Sequence, residues 1–253
     1  AILGAGYMGL LTAEFLSSKG FSVTVYADLF PQQGFVFEEG KPCITSQVAG
    51  GYWMPFGVDI VNPLQHEELQ VESWNYYVKH IQEGRTGIRF RNAYCFGTFN
   101  TFKENPPALY IIQQMNPHST RVKLGETGKV SEAVKFKTIS IDGEAFLNAL
   151  LETLKTRSNV TIVQKRFFSL EEVEKLDQKV IFNCLGLGSR EVFRDEKMIP
   201  IRGQLLYLKH QPQIDFFMFG RGSYGGFSIY PLGNKIAVGL TYEKGIEGLK
   251  LTD

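Results

Sequence analysis

The hydrophobic positions open the chain as a short unbroken run, Ala1-Ile2-Leu3, which breaks into Gly4-x-Gly6-x-x-Gly9. Leu10, Leu11, Ala13, Phe15 and Leu16 then favour one side of a helix that stops at Lys19-Gly20, a basic last turn and a C′ glycine. Residues 21–28 alternate β-branched and aromatic with polar positions, as a half-buried strand does, and end on Asp28. Leu29 to Gly34 reads as a turn. From 62 to about 82 the period is helical again, carried by Leu64, Leu69, Val71, Trp74, Tyr77, Val78 and Ile81. Residues 88–96 alternate as a strand, a connection bearing Pro106, Pro107 and Pro117 follows, and 130–141 is strand-like. Helical spacing returns at 143–157, with Phe146, Leu147, Leu150, Leu151 and Leu154 as its buried stripe. A strand at 160–163 leads to a short acidic helix opened by a capping-box pattern between Ser169 and Glu172. Residues 180–184 then form a strand, expected at the sheet centre, that runs into Gly186 and Gly188. Residues 200–208, 216–219, 227–231 and 236–241 are strands of an antiparallel meander, with 220–226 as a turn.

Strand, glycine turn, helix, strand and acid follow one another at the spacing of a dinucleotide-binding βαβ unit. Gly4 permits the tight exit from the strand, Gly6 lets a pyrophosphate approach the backbone, and Gly9 lets the helix lie close to the sheet. The first helical amides, at Tyr7 and Met8, point at the phosphates with the positive end of the helix dipole behind them. Asp28, about twenty residues on, is placed to accept hydrogen bonds from a ribose diol. A bare glycine triplet would be no more than a tight turn; here both strands, the helix and the acid accompany it. The stretch from Ile44 to Pro55 holds Thr45 and Ser46, which could donate to phosphate oxygens, and Gly50-Gly51, which could lie against a flat ring. Taken alone it is equally a glycine- and proline-rich loop. The turn after the strand at 180–184 offers a second wall to the dinucleotide, or is a simple strand-to-helix turn.

The expected fold class is α/β, a Rossmann-like domain interrupted by antiparallel sheet. The domains are discontinuous: 1–82 and 139–200 form the dinucleotide domain, 83–138 and 201–253 a second, substrate-bearing one. No internal repeat or low-complexity linker divides them.

Composition changes this picture little. The chain has 253 residues, 43% hydrophobic and 21% charged, with a net charge of +1, which gives no reason to invoke nucleic acid or an anionic membrane. No run approaches the roughly 20 apolar residues of a membrane span. Cys43, Cys95 and Cys184 are far apart and odd in number, suiting a reducing compartment better than a disulfide framework, and form no metal-like cluster with the four histidines. The many aromatics suit a pocket for a planar ligand or, equally, a phenylalanine-rich core. The chain begins inside its first strand and ends without closing an evident element, so it reads as a fragment or as the ordered part of something longer.

Five stretches in order resemble the D-amino-acid oxidase family, which includes D-aspartate oxidase, among the glutathione-reductase-like flavoproteins. They are Gly4 to Gly9; Val25-Tyr26-Ala27-Asp28; Val48-Ala49-Gly50-Gly51-Tyr52-Trp53-Met54-Pro55; Asn183-Cys184-Leu185-Gly186; and Arg202-Gly203-Gln204. The resemblance implies FAD rather than NAD. Gly4, Gly6 and Gly9 would hold the pyrophosphate, Ala27 and Asp28 would meet the adenosine end, and Thr45 and Ser46 match a hydroxyl pair near the phosphates. Gly51 and Tyr52 lie where the family's chain runs along the isoalloxazine, and Phe167 matches a position where the backbone touches adenine. Cys184, Leu185 and Gly186 join the cofactor set. Tyr224 falls where the family has an active-site tyrosine. Its second substrate-side tyrosine is here Ser228, and Gln47 and Met54 also replace the usual residues. Neither the Gly-x-Arg-Pro segment that fixes the substrate carboxylate nor the His-Gly-Gly-type turn occurs before Asp253. Arg202 is given no catalytic role.

The activity so implied is oxidative deamination of D-amino acids to keto acids, ammonia and hydrogen peroxide, with an amino-acid substrate and molecular oxygen as partners. A homodimer stays open. A flavin enzyme acting on glycine, sarcosine or another amine is the first alternative, a non-catalytic flavin-binding remnant the second, an NAD-dependent enzyme a poorer third. The expected location is cytoplasmic, or peroxisomal in a eukaryote.

Overall fold

The opening apolar pair becomes β1 (Ile2–Leu3), both side chains buried, and the glycine turn delivers the chain into α1 (Tyr7–Ser18). The structure is a computed structural model that describes residues 1–54, 62–96, 120–124, 131–222, 225–239 and 241–251. After α1 come β2 (Val23–Ala27), α2 (Thr45–Val48), β3 (Gly50–Tyr52), α3 (Pro63–Gln82), β4 (Ile88–Phe96), β5 (Thr120–Leu124) and β6 (Ser131–Asp142). The order continues with α4 (Gly143–Lys155), β7 (Val160–Gln164), α5 (Leu170–Glu174), β8 (Phe182–Asn183), α6 (Gly188–Val192) and β9 (Ile201–Arg202). It closes with β10 (Leu205–Lys209), β11 (Phe216–Gly222), β12 (Gly225–Leu232), β13 (Lys235–Gly239) and β14 (Glu243–Lys244).

These elements form two compact units, 1–49 with 143–203 and 242–253, and 50–142 with 204–241. The first is built on a parallel sheet in the order β7-β2-β1-β8, with Ile2 opposite Val25 on one side and Phe182 on the other. α1 and α4 pack together, and the α4 stripe of Phe146, Leu147, Leu150, Leu151 and Leu154 is wholly buried. Each such side chain contributes roughly 1.5–3 kcal/mol of hydrophobic stabilisation. Strand alternation turns Leu3 the other way, into a cluster with Phe167, Val173 and Val192. β9 and β14 form a two-stranded ribbon in which Arg202 meets Glu243.

Two expectations change here. β8 is not central: among the described residues it is the outer strand next to β1, so it borders the glycine turn from the sheet edge. Ser169 does not close a capping box, since it makes no capping bond at the start of α5. Glu172 accepts instead from the backbone N–H of Phe168, at 3.3 Å.

The second unit is one sheet in the order β10-β13-β12-β11-β4-β6-β3, with β5 also on β6. The meander of β11, β12, β13 and β10 is antiparallel, but it joins the rest through a parallel pairing of β11 with β4, Phe216 opposite Asn92. One face carries Phe90 and Trp53, which meet Trp74 of α3 at ring distances of 6.0 and 4.9 Å. The helix Pro63–Gln82, grouped with the first domain by sequence, thus packs within the second unit. The opposite face holds Ala93, Cys95, Val134, Phe136 and Phe217, with Tyr52, Met54, Phe219 and Tyr230 against them. Arg91 is buried on the same face, two residues before Ala93, its side chain 2% exposed and paired with the largely exposed Asp215. The proline-bearing stretch between β4 and β5 lies outside the described residues.

Candidate functional site

The three glycines of the opening turn owe their places to different neighbours. Gly4 has φ +111°, and a Cβ there would stand 2.3 Å from the Cys184 carbonyl oxygen. The turn is tied to both neighbouring strands, Gly4 N–H donating to Tyr26 O at 2.7 Å and Cys184 N–H to Leu3 O at 2.9 Å. A Cβ on Gly9 would lie 1.9 Å from the Gly4 carbonyl oxygen, so α1 crosses β1 at backbone contact. Gly6 is different, because among the described residues only Ser46 Oγ, at 3.1 Å, would meet its Cβ. The bare Gly6 backbone and the first turn of α1, with Met8 exposed, offer what a phosphate needs: room, amide donors and the positive end of a twelve-residue helix.

Ser46 joins this group by accepting a hydrogen bond from the Tyr7 amide at 3.3 Å. Its carbonyl is also where α4 begins: a Cβ on Gly143 would come within 2.0 Å of Ser46 O and 3.0 Å of the Tyr7 hydroxyl. Gly143 therefore sets the approach of α2 to the turn. Sequence reasoning missed it, because a glycine opening a helix carries no periodic signal. Thr45 is exposed beside Ser46, and the buried Gln47 turns inward, donating from its amide to the Gln32 carbonyl.

Ala27 is buried and Asp28 lies just beyond the carboxyl end of β2. The Asp28 carboxylate is 3.7 Å from Arg166, and its backbone carbonyl accepts from Gln164 at 3.1 Å. Phe167 is buried edge-on to Tyr26, ring centres 5.7 Å apart, and Lys165 N–H donates to Ala27 O. On the other side of β1, Asn183 Oδ1 accepts from the Leu185 amide at 3.2 Å and from the Ser189 hydroxyl at 3.1 Å, which shapes the turn through Gly186 (φ +56°). Among the described residues no atom stands within 4 Å of a Cβ built on Gly186. Burial pushes the Cys184 thiol pKa up, which keeps it a neutral packing residue.

Within the first unit the structure thus brings Gly4, Gly6, Tyr7, Met8, Gly9, Ser46 and Cys184 to one turn, and Ala27, Asp28 and Phe167 to the neighbouring strand ends. β1 has β2 on one side and β8 on the other, so this turn stands at the point where chain order reverses across the sheet, the place where open α/β sheets hold ligands. A dinucleotide fits this donor set.

Gly50, Gly51 and Tyr52 belong to the second unit. A Cβ on Gly51 would meet Ile141 O at 2.8 Å, so pairing with β6 already demands a glycine there. Tyr52 packs on Phe217, Phe219 and Tyr230 at 5.3–5.5 Å, and burial, with Tyr230 and Cys95 beside it, pushes its phenol well above the usual range. Ser228 is fully buried and donates to the Gly239 carbonyl, so it opens no space; Tyr230 stands two residues on along the same strand face. Arg202 holds Glu243 through two bonds of 2.7 and 2.9 Å and donates to Lys250 O, a structural role. Tyr224 and Pro55 lie outside the described residues.

Over residues 1–252 the chain matches the family described as FAD dependent oxidoreductase. It is 25% identical over 252 residues to D-aspartate oxidase of Homo sapiens, which covers 97% of this chain and 69% of that protein. It is 26% identical over 251 residues to a D-amino-acid oxidase of Rubrobacter xylanophilus, covering 96% and 69%. Iminodiacetate oxidase from Chelativorans sp. BNC1 shares the fold at 15% identity, with a TM-score of 0.67 over 100% of this chain and 74% of that one.

Proposed function

The chain belongs to the FAD dependent oxidoreductase family, and from that premise we propose that it oxidises D-amino acids with molecular oxygen and water, yielding keto acids, ammonia and hydrogen peroxide. Bound FAD supplies the hydride acceptor. One observation carries the reading: the dinucleotide turn at Gly4–Gly9, closed by Ser46 and Cys184, in a chain whose matched relatives are named for D-aspartate and D-amino-acid oxidation.

On this reading the Gly6 backbone and the Tyr7 and Met8 amides hold the pyrophosphate, with Thr45 and Ser46 alongside. Asp28 and Ala27 take the adenosine ribose, and Phe167 and Cys184-Leu185-Gly186 border the adenosine half. The family resemblance alone assigns Gly50, Gly51 and Tyr52 to the flavin ring and Tyr224, outside the described residues, to the substrate. The chain's share of the chemistry is orientation and exclusion of water, so no side-chain base is required for a substrate amine that arrives neutral. Ser228 lends no weight to a different amine, because its side chain is committed to the Gly239 carbonyl.

The test is a visible spectrum of the purified protein, repeated without oxygen after D-alanine, D-aspartate, glycine or sarcosine. Bleaching of a flavin spectrum by a D-amino acid is the expected result. Bleaching by glycine or sarcosine alone would move the substrate class, and a flavin that none of them reduces would leave a binding protein without this activity.

A further inference from the structure

Strand β10 closes one end of the larger sheet: among the described residues it pairs with β13 alone. Its sequence, Leu205-Leu206-Tyr207-Leu208-Lys209, is that of an interior strand, yet Leu206 is 70% exposed, Leu208 45% and Tyr207 38%. Monomeric proteins protect a sheet edge with a short strand, a proline, a bulge or charges spread along it. At the opposite end of this sheet β3 is only three residues long. β10 has none of these devices. It runs in unbroken register with β13, from Leu205 opposite Gly239 to Lys209 opposite Lys235, and carries its one charge at its last residue. Its outward N–H and C=O groups are a template for another strand. Alternation sorts the side chains: Leu206 and Leu208 continue the face of Val238 and Ile236, their partners on β13. Tyr207 lies on the other face, with Lys235 Nζ 4.4 Å from its ring centre.

We propose that β10 pairs antiparallel with β10 of a second copy of this chain, about a two-fold axis through Tyr207 and perpendicular to the sheet. The occupant is a second copy because the strand is its own complement in that register. Leu206 stands opposite Leu208 of the partner subunit, and Leu208 opposite Leu206 of the partner subunit, so both leucine pairs meet on one face across the axis. On the other face Lys209 stands opposite Leu205 of the partner subunit, so no like charges oppose each other. Neighbouring registers are poorer: centring on Leu206 sets Leu208 against Gln204, and centring on Leu208 sets Leu206 against His210. The axis keeps the leucine face of both copies on the same side, and the two sheets become one. This pairing does not depend on the flavin or on the substrate.

The experiment follows the mass of the purified protein by sedimentation over a concentration series. Wild type is dimeric at its upper end. Leu206→Lys raises the dimer dissociation constant at least about tenfold, because each dimer loses two buried leucines, and Leu208→Lys does the same from the other side of the pair. Both positions are exposed in the single chain, so at concentrations where wild type is monomeric each variant melts as wild type does. Tyr207→Cys reads the register. Residues facing each other on the axis have Cα atoms about 4.5–5.5 Å apart, within reach of a disulfide. Mild oxidation therefore links this variant into a covalent dimer faster than wild type, whose Cys43, Cys95 and Cys184 set the background. If a lysine variant fails to fold, the cysteine crosslink decides. The proposal is overturned by a wild type that stays monomeric throughout, by a dimer that both lysine variants leave intact, or by a Tyr207→Cys protein that crosslinks no faster than wild type.

Discussion

Replacing Gly9 by alanine would set a Cβ 1.9 Å from the Gly4 carbonyl oxygen and 2.8 Å from its carbon, where ordinary contact is 3.4–4 Å. The obstacle is backbone and cannot rotate away, so α1 must retreat from β1 by roughly 1.5 Å. Overpacking of this kind costs about 1–3 kcal/mol, and the rigid neighbour puts Gly9 at the upper end. The better helix propensity of alanine returns about 1 kcal/mol, leaving a net loss of about 2 kcal/mol. At about 2–4 °C per kcal/mol for a chain of this size, the apoprotein melts about 4–8 °C lower. The displaced amides of Tyr7 and Met8 also lose their aim, so FAD affinity falls at least about tenfold. Gly6→Ala is the control. Among the described residues its new Cβ meets only Ser46 Oγ, at 3.1 Å, and the backbone at φ −80°, ψ −167° is open to alanine, so the melting temperature changes by about 2 °C or less. Yet the methyl stands where a phosphate must approach, and FAD affinity drops comparably. Thermal melts of the two apoproteins, with FAD titrations, separate the effects. A Gly9→Ala protein that melts like wild type, or a Gly6→Ala protein that binds FAD normally, would refute the reasoning.

Other perturbations probe other parts of the molecule. Asp215→Asn leaves the buried Arg91 guanidinium without its carboxylate and should cost about 2–3 kcal/mol, while adding Arg91→Met recovers most of it; a denaturant-midpoint series in which the double variant is no better than the single rejects the pair. The hydrogen bond and charge of Arg202 lower the Glu243 pKa below its usual 4.5, so this pair stabilises the fold above that pH and is lost as acid protonates the carboxylate. Glu243→Gln should flatten the fall in melting temperature below about pH 4.5, and an unchanged acid limb would count against it. Burial raises the Tyr77 phenol from 10.0 to about 12, so its contribution is complete below pH 10 and fades as pH climbs toward 12. Tyr77→Phe should hold its melting temperature better across that interval, and identical alkaline curves for both proteins would contradict this.

What could be read from the sequence was local. The β1–α1–β2 passage, the strand at 88–96 and the leucine stripe of α4 each announce themselves through periodicity and glycine placement within a dozen or so residues. The position of β8 was not legible, since a strand's alternation does not say which neighbours it finds; its apolar residues suited a centre, but among the described residues only β1 lies beside it. The parallel join of β4 to β11 was hidden for the same reason. Arg166 escaped notice because a lone arginine after a strand is commonplace until folding sets it between Asp28, Glu191 and Phe168. Ser228 shows the converse: the substitution was plain, but its consequence depended on the Gly239 carbonyl opposite.

That join has a consequence for biosynthesis. β4 ends at Phe96 and its parallel partner begins at Phe216, and both compact units are assembled from separated stretches of chain. A ribosome adding about 5–20 residues per second needs on the order of ten seconds to travel between the two strands. Throughout that interval β4 presents an unpaired edge and the apolar row of Ala93 and Cys95 without Phe217 to cover it. The parallel sheet waits for β8 and the larger sheet for β10 to β13, so a nascent chain stalled in residues 143–181 would carry two unfinished sheets and a strong claim on chaperones.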